Sequence, residues 1–293
     1  MNAMTVEALW RFPVKSMAGE MVSTTAVTEL GVVGDRGYAL IDKETGKLVS
    51  AKNPKRWPDI MSCRATYLGE PRIGEQSPAV RIDLADGTTT SSDEPDADTV
   101  ISTYFDRDVA LSRPRNTDYA IEEYVPDLAN VRPDGHRNDL TQIKTGAALF
   151  RELGMSPLVA DGTFFDLMPL AILTTATLTH LAELVPGSRF DQRRFRMNVI
   201  VATHESGFVE NDWIGKSVTV GDRVQLHVAL PCPRCVMTNL AQDDLPRDAN
   251  ILKAAAIHNR QDIAGQGLYP CVGVYAVVGS PGTIGVGDMV AVA

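Results

Sequence analysis

Apolar and polar residues alternate with a period of two along most of the chain. The stretches "TVEALWRF", "YALIDKETGKLVS", "AVRIDLADGTTT", "SVTVGDRVQLHVAL", "VGVYAVVG" and "TIGVGDMVAVA" all carry this pattern, which predicts strands joined by tight turns. Gly-Asp recurs in "VGDRV" from Val220 and "VGDMV" from Val286. Both predict the same hairpin device, because glycine supplies the positive φ that a short turn needs. Helical periodicity is confined to two places. "TTATLTHLAELV" puts Leu178, Leu181, Leu184 and Val185 on one face behind a threonine cap at Thr174, Thr175 or Thr177, and "PRDANILKAAAIHNRQ" opens with Pro246 and Asp248. Strands dominate and helices punctuate, so the expected fold is mainly β with helical insertions, of the barrel type.

One long segment breaks the pattern. "RPRNTDYAIEEYVPDLANVRPDGHRNDLTQIKT" is polar, holds three prolines and lacks clear periodicity. It is expected to be a linker, or loops covering an interface, and divides the chain into domains at 1–112 and 149–293 with 113–148 between them. A length of 293 residues with 44% hydrophobic side chains suits two cores better than one.

Charge narrows the partners. With 28 basic against 37 acidic side chains the net charge is −9, which repels phosphate backbones and anionic lipid, so neither nucleic acid nor membrane is expected. The chain has no long apolar run, and its first residues pass directly into the alternating pattern, so a cytoplasmic location is expected. The four cysteines, Cys63, Cys232, Cys235 and Cys271, are too few to staple a chain of this length and are expected to be thiols.

Candidate chemistry concentrates in "LPCPRCVMTN". The spacing of Cys232 and Cys235 admits a zinc site with His227, His258 or Cys271, a redox pair, or two small apolar fillers at a strand end. Zinc lacks a second ligand pair in the sequence, and no helix pattern follows to support a thioredoxin-like pair. Arg234 between the cysteines favours a thiolate, which would bind a soft metal, so spacing alone leaves packing and metal binding level. Elsewhere, Lys15 and Ser16 in "RFPVKSMAGE", Arg36 in "GDRGYALID", and Lys52, Lys55 and Arg56 in "SAKNPKRWPDI" could form an anion site in an otherwise acidic chain. In "FRMNVIVA" a strand would project Arg196 and Asn198 to one face, where they could bind a planar polar ligand or pair structurally.

Taken in order, "RFPVKS", "GDRGYALID", "LTTATL", "FRMNVIV", "WIGKSVTVGD", "PCPRCVMTN" and "PGTIGVGDMVAV" resemble the MOSC family over nearly the whole chain. The resemblance implies two barrel-like domains, a MOSC N-terminal β-barrel domain and a MOSC domain. It also implies a molybdenum cofactor whose metal is ligated by Cys235, in "RCVMT". Lys15, Ser16 and Arg36 match the family's positions for the cofactor phosphate and pterin. Arg196 and Asn198 match its pair at the pterin, Thr174 or Thr175 its helix-starting hydroxyl, and Arg234 flanks the ligand. Pro233 and Asn239 depart from the amidoxime reducers, which carry serine and threonine there.

The implied activity is an oxidoreductase that takes oxygen from a small N-hydroxylated or N-oxide substrate. Electrons are expected from a separate donor protein, because the chain reaches Ala293 without a ferredoxin-like cysteine cluster. The alternative is a carrier that holds molybdenum cofactor or sulfur on Cys235 without reductase turnover.

Overall fold

The computed structural model describes residues 4–293 and is built around a closed seven-stranded barrel. Around the ring, Leu170–Thr174 pairs with Val199–Ala202, then Met4–Arg11, Met289–Val292, Ser217–Val220, Val224–Pro233 and Leu268–Ser280, which returns to Leu170–Thr174. All these pairings are antiparallel except the first, where Ile172 sits opposite Val199. The N-terminal strand thus lies between strands drawn from the far end of the chain.

Inward residues of alternate positions fill the barrel: Val6, Leu9, Ile172, Val199, Val218, Leu226, Val274 and Val290 are all buried in one cluster. Outside the ring, the helices Thr175–Leu184 and Asn250–His258 cover part of the wall, so Leu173, Ile200 and Val272 are buried on that side too. This double coverage explains why "LAILT" is apolar without alternation, every residue of it being buried.

A second β body has its own core. The sheets Arg64–Tyr67, Val80–Asp83, Thr89–Ser91 and Ala39–Asp42, Val109–Ser112 surround Met17, Tyr38, Leu40, Trp57, Met61 and Ile82, with the helix Ala97–Phe105 against them. The mainly β reading with few helices therefore holds. Among the described residues no helix is long and apolar enough to cross a membrane.

Three local readings differ. The segment 113–148 contains a β-hairpin, Ala120–Val125 against Asp139–Lys144, with Ala120 opposite Lys144 and Val125 opposite Asp139. Its periodicity is hidden because Glu123 takes a buried slot between Ile121 and Val125, while the second strand buries no residue fully, only Thr141 and Ile143 being half-buried. The "VGDRV" turn is a hairpin, but "VGDMV" joins two different sheets, since Gly282–Gly285 pairs with Thr24–Thr28. Arg196 and Asn198 precede their strand, which begins at Val199, and Arg196 itself has a left-handed φ of 54°.

Candidate functional site

A cavity of about 390 Å³ opens where the two cores meet. The segment "CPRCVMT" crosses that junction. Cys232 is buried in the cluster outside the barrel, whereas Cys235 and Met237 pack against the second core. Cys235 is half-buried and lines the cavity, and the short helical turn Val236–Asn239 follows it. All four cysteines are free thiols, and among the described residues no cluster of three or more His, Cys, Asp or Glu could hold a metal. Among the described residues the two cysteines thus have no third side chain of these types placed with them, and the three- or four-ligand set of a zinc site is not assembled there.

Six cations, Lys15, Arg36, Lys52, Arg132, Arg196 and Arg234, line this cavity against three carboxylates, Glu123, Glu152 and Asp166. In a chain of net charge −9 this is a local reversal of sign. The loop after the N-terminal strand delivers Lys15 and Ser16. Backbone bonds from Lys15 N to Tyr38 O at 2.9 Å and from Arg36 N to Phe12 O at 2.8 Å hold it beside the segment carrying Arg36. Ser16, Arg36 and Arg196 have φ of 69°, 51° and 54°. Non-glycine residues adopt this left-handed region at a cost of about 1–3 kcal/mol each, and such strain collects at functional sites.

The Phe12 ring carries two of the guanidinium groups, with Arg36 4.7 Å and Arg196 4.3 Å from its centroid. Asp35 pairs with Arg36 and accepts from Phe12 N at 2.8 Å and Asn198 Nδ2 at 2.9 Å. Burial, with Arg36 close by, pulls the Arg196 guanidinium down to about 9. Its Nη1 donates to Met17 O, but its Nη2 is buried with no partner. Arg234 repeats the situation: Nη1 donates to Cys232 Sγ at 3.0 Å and Nη2 to Phe195 O at 2.8 Å, leaving Nε buried and unpartnered. Arg132 Nε is a third such donor; buried donors without acceptors are costly, and three of them on the residues of one lining fit a guest rich in acceptors.

Lys15 and Lys52 share Asp166. Lys15 donates to it and to Phe164 O at 2.7 Å, and Lys52 Nζ lies 3.3 Å from its other oxygen. Burial pushes the Asp166 carboxyl up, but the two ammonium groups outweigh it and hold it well below the usual range. Lys52 also stands 3.6 Å from Glu123. Burial pushes the Cys235 thiol up, and Lys52 pulls it partly back.

Of the residues singled out from sequence, Lys15, Ser16, Arg36, Arg196, Asn198, Arg234 and Cys235 converge on this cavity. Asn198 spends its side chain within the protein, accepting from Ala171 N and donating to Asp35 and Trp10 O. Thr174 and Thr175 are not brought to the lining. Thr174 caps the helix Thr175–Leu184 through Thr177 N at 3.2 Å and bonds buried Glu210, and Thr175 accepts from Thr203 N. Of the basic run, Lys52 enters the cavity, while Arg56 pairs with Asp42 and Glu44 and Lys55 rests on Tyr124. Asp166, Glu123 and Tyr275 also line the cavity, and none of the sequence motifs names them. A charge within the apolar "FFDLMPL" was the available signal for Asp166.

The MOSC N-terminal beta barrel domain matches residues 3–114 and the MOSC domain residues 161–291. The chain is 26% identical to mitochondrial amidoxime-reducing component 1 of Homo sapiens, over 98% of this chain and 82% of that protein. It is 24% identical to the human mitochondrial amidoxime reducing component 2, with the same coverage. Among solved structures, the YUAD protein from Bacillus subtilis is similar at 11% identity and a TM-score of 0.42, covering 99% of this chain and 95% of that one.

Proposed function

The chain belongs to the MOSC domain family, with a MOSC N-terminal beta barrel domain ahead of a MOSC domain, and from that premise we propose that it is a molybdenum-cofactor oxidoreductase acting on N-hydroxylated or N-oxide small molecules. The likeness to proteins named amidoxime-reducing components supports this reading. The observation that carries it is the setting of Cys235, a half-buried thiol in a cavity ringed by six cations, three of them, Arg132, Arg196 and Arg234, with buried unpartnered N–H groups.

The residues present fit that group. Cys235 would ligate the metal, a soft anionic donor for a metal that changes oxidation state. Lys15, Ser16 and Arg36 would hold the terminal phosphate and pterin, and Arg196 and Arg234 offer free donors to an acceptor-rich ring system. The cofactor supplies the two-electron chemistry by which the N–O bond is broken and the oxygen leaves as water after uptake of two protons.

The chain's own part is binding and orientation. The buried cations neutralise an anionic guest in a setting of low dielectric, where each contact counts for more than in water. Arg234 is fixed at both terminal nitrogens, so its Nε keeps one direction. Val125, Val131, Leu149 and Met168 line the cavity and exclude water from the rest of it. Electrons would arrive from a separate protein.

The test is to express the protein with ample molybdate, measure its molybdenum and pterin, and assay benzamidoxime reduction under an artificial reductant. Bound metal with turnover supports the reductase. Bound metal without reduction of any N-oxygenated compound favours a cofactor or sulfur carrier using Cys235, and protein lacking both metal and pterin overturns the reading.

A further inference from the structure

The cavity lining divides by origin. The barrel and the loops of the second core bring Cys235 and five of the six cations, whereas residues 123–132, 143–153 and 263–269 bring mostly apolar side chains, among them Val125, Val131 and Leu149. Glu123 stands out in this second group. It is buried at 8% exposure on the inward face of the hairpin, between Ile121 at 0% and Val125 at 2%, a slot that the alternation reserves for an apolar residue.

Its charge partners do not account for it. Lys52 Nζ lies 3.6 Å away and Arg132 Nη1 3.5 Å. Both exceed the roughly 2.7–2.9 Å of a charge-assisted hydrogen bond, and Lys52 sits closer to Asp166, at 3.3 Å. A carboxylate has about four acceptor sites, and Glu123 leaves most of that capacity free while lining the same cavity as Cys235. A buried acceptor beside an apolar wall suits a guest that is apolar but carries a hydrogen-bond donor.

Resting on the reductase reading, we propose that Glu123 is a specificity-determining residue that accepts hydrogen bonds from an N–H neighbouring the reducible N–O group. The cavity then prefers apolar amidoxime-like molecules, which carry such an N–H, over tertiary amine N-oxides, which have none. A site built to bond a donor rejects analogues that lack it, because the buried acceptor is left unpaired.

Wild type and E123Q, loaded to equal molybdenum content, are compared on benzamidoxime and N,N-dimethylaniline N-oxide under one reductant. Wild type is expected to favour benzamidoxime. In E123Q the ratio of the two kcat/KM values should fall by about ten- to a hundredfold, the loss appearing chiefly in KM for benzamidoxime. A parallel fall for both substrates, or no fall for either, overturns the proposal. Benzamidine binding, followed by calorimetry, decides the same point when wild type reduces neither compound, an outcome that removes the reductase reading by itself. About tenfold weaker binding to E123Q supports the role of Glu123, and unchanged binding overturns it. Should E123Q fail to fold, E123D, which keeps the charge but withdraws it by one methylene, takes its place with the same readouts.

Discussion

Arg234 donates to the sulfur of Cys232 at 3.0 Å, whereas Cys235, three residues along, receives no such bond; both residues border the cavity, but Cys232 is fully buried and Cys235 only half-buried. The two thiols of one short motif thus belong to different cores and face different partners. Cys235→Ser should cut retained molybdenum by tenfold or more and reduce turnover to background, because a hydroxyl is a poor ligand for a soft metal. Cys232→Ser keeps a small side chain able to accept from Arg234, and should retain metal at a stability cost of about 1 kcal/mol. Metal analysis of both purified variants, with urea denaturation, checks this. Equal loss of metal in the two would mean a shared two-cysteine site.

Asp166 is the shared counter-charge of Lys15 and Lys52. Asp166→Asn would leave two closely spaced ammonium groups without it, Lys15 being buried at 5% exposure, and should cost about 3 kcal/mol. The pH dependence has a definite sign. The carboxyl is held below its ordinary 3.8 in the folded state, so its contribution is present above 3.8 and is lost as pH falls through the folded-state value. Urea unfolding between about pH 2 and pH 7 should show an acid limb in wild type that is shallower in D166N.

The barrel was legible because its strands alternate, or run apolar where helices cover them, and both patterns follow directly from burial. The site was legible in part. Lys15, Ser16, Arg36 and Cys235 stood out as residue types that chemistry requires, but their strain did not, since left-handed backbone at an arginine leaves no mark on periodicity. For that reason the alternation in "FRMNVIVA" predicts a strand through Arg196 and Asn198, whereas the strand begins only at Val199. Glu123 and Asp166 were missed for a related reason. Each interrupts an apolar pattern, so a search for regular elements passes over the very position that a cavity-lining charge occupies.

Arg194 has no exposed surface and no carboxylate partner. Its guanidinium donates to four carbonyls: Arg189 at 2.9 Å, Thr238 at 3.3 Å, Leu240 at 3.2 Å and Pro246 at 2.8 Å. Three of these lie in the segment that follows Cys235, so the arginine acts as a positioning residue for the thiol's own loop. Arg194→Lys offers one nitrogen with three protons and cannot span the set, which should cost about 2 kcal/mol or more. Faster amide exchange across 236–246, with reduced metal retention, would show that the loop has loosened.

Two glycines of the strand Leu268–Ser280 provide a matched pair. Gly273 sits at the seam that closes the barrel, beside the Ile172 to Val274 pairing, with φ of 78°. An added Cβ would lie 2.6 Å from Ile172 O and 2.6 Å from Met197 Cε, so backbone as well as side chain must yield. Gly279 has no positive φ, and its nearest neighbour, Gln225 O, would be at an ordinary 3.5 Å. Gly273→Ala should therefore cost about 2–4 kcal/mol from the left-handed backbone and the displaced carbonyl, whereas Gly279→Ala should change stability by less than about 1 kcal/mol. Met197 lies between Arg196 and Asn198 in the chain, so displacement at the seam reaches the cavity wall. G273A is thus also expected to retain less molybdenum than G279A when both are prepared in the same way, and equal retention would mean that seam and site are mechanically independent.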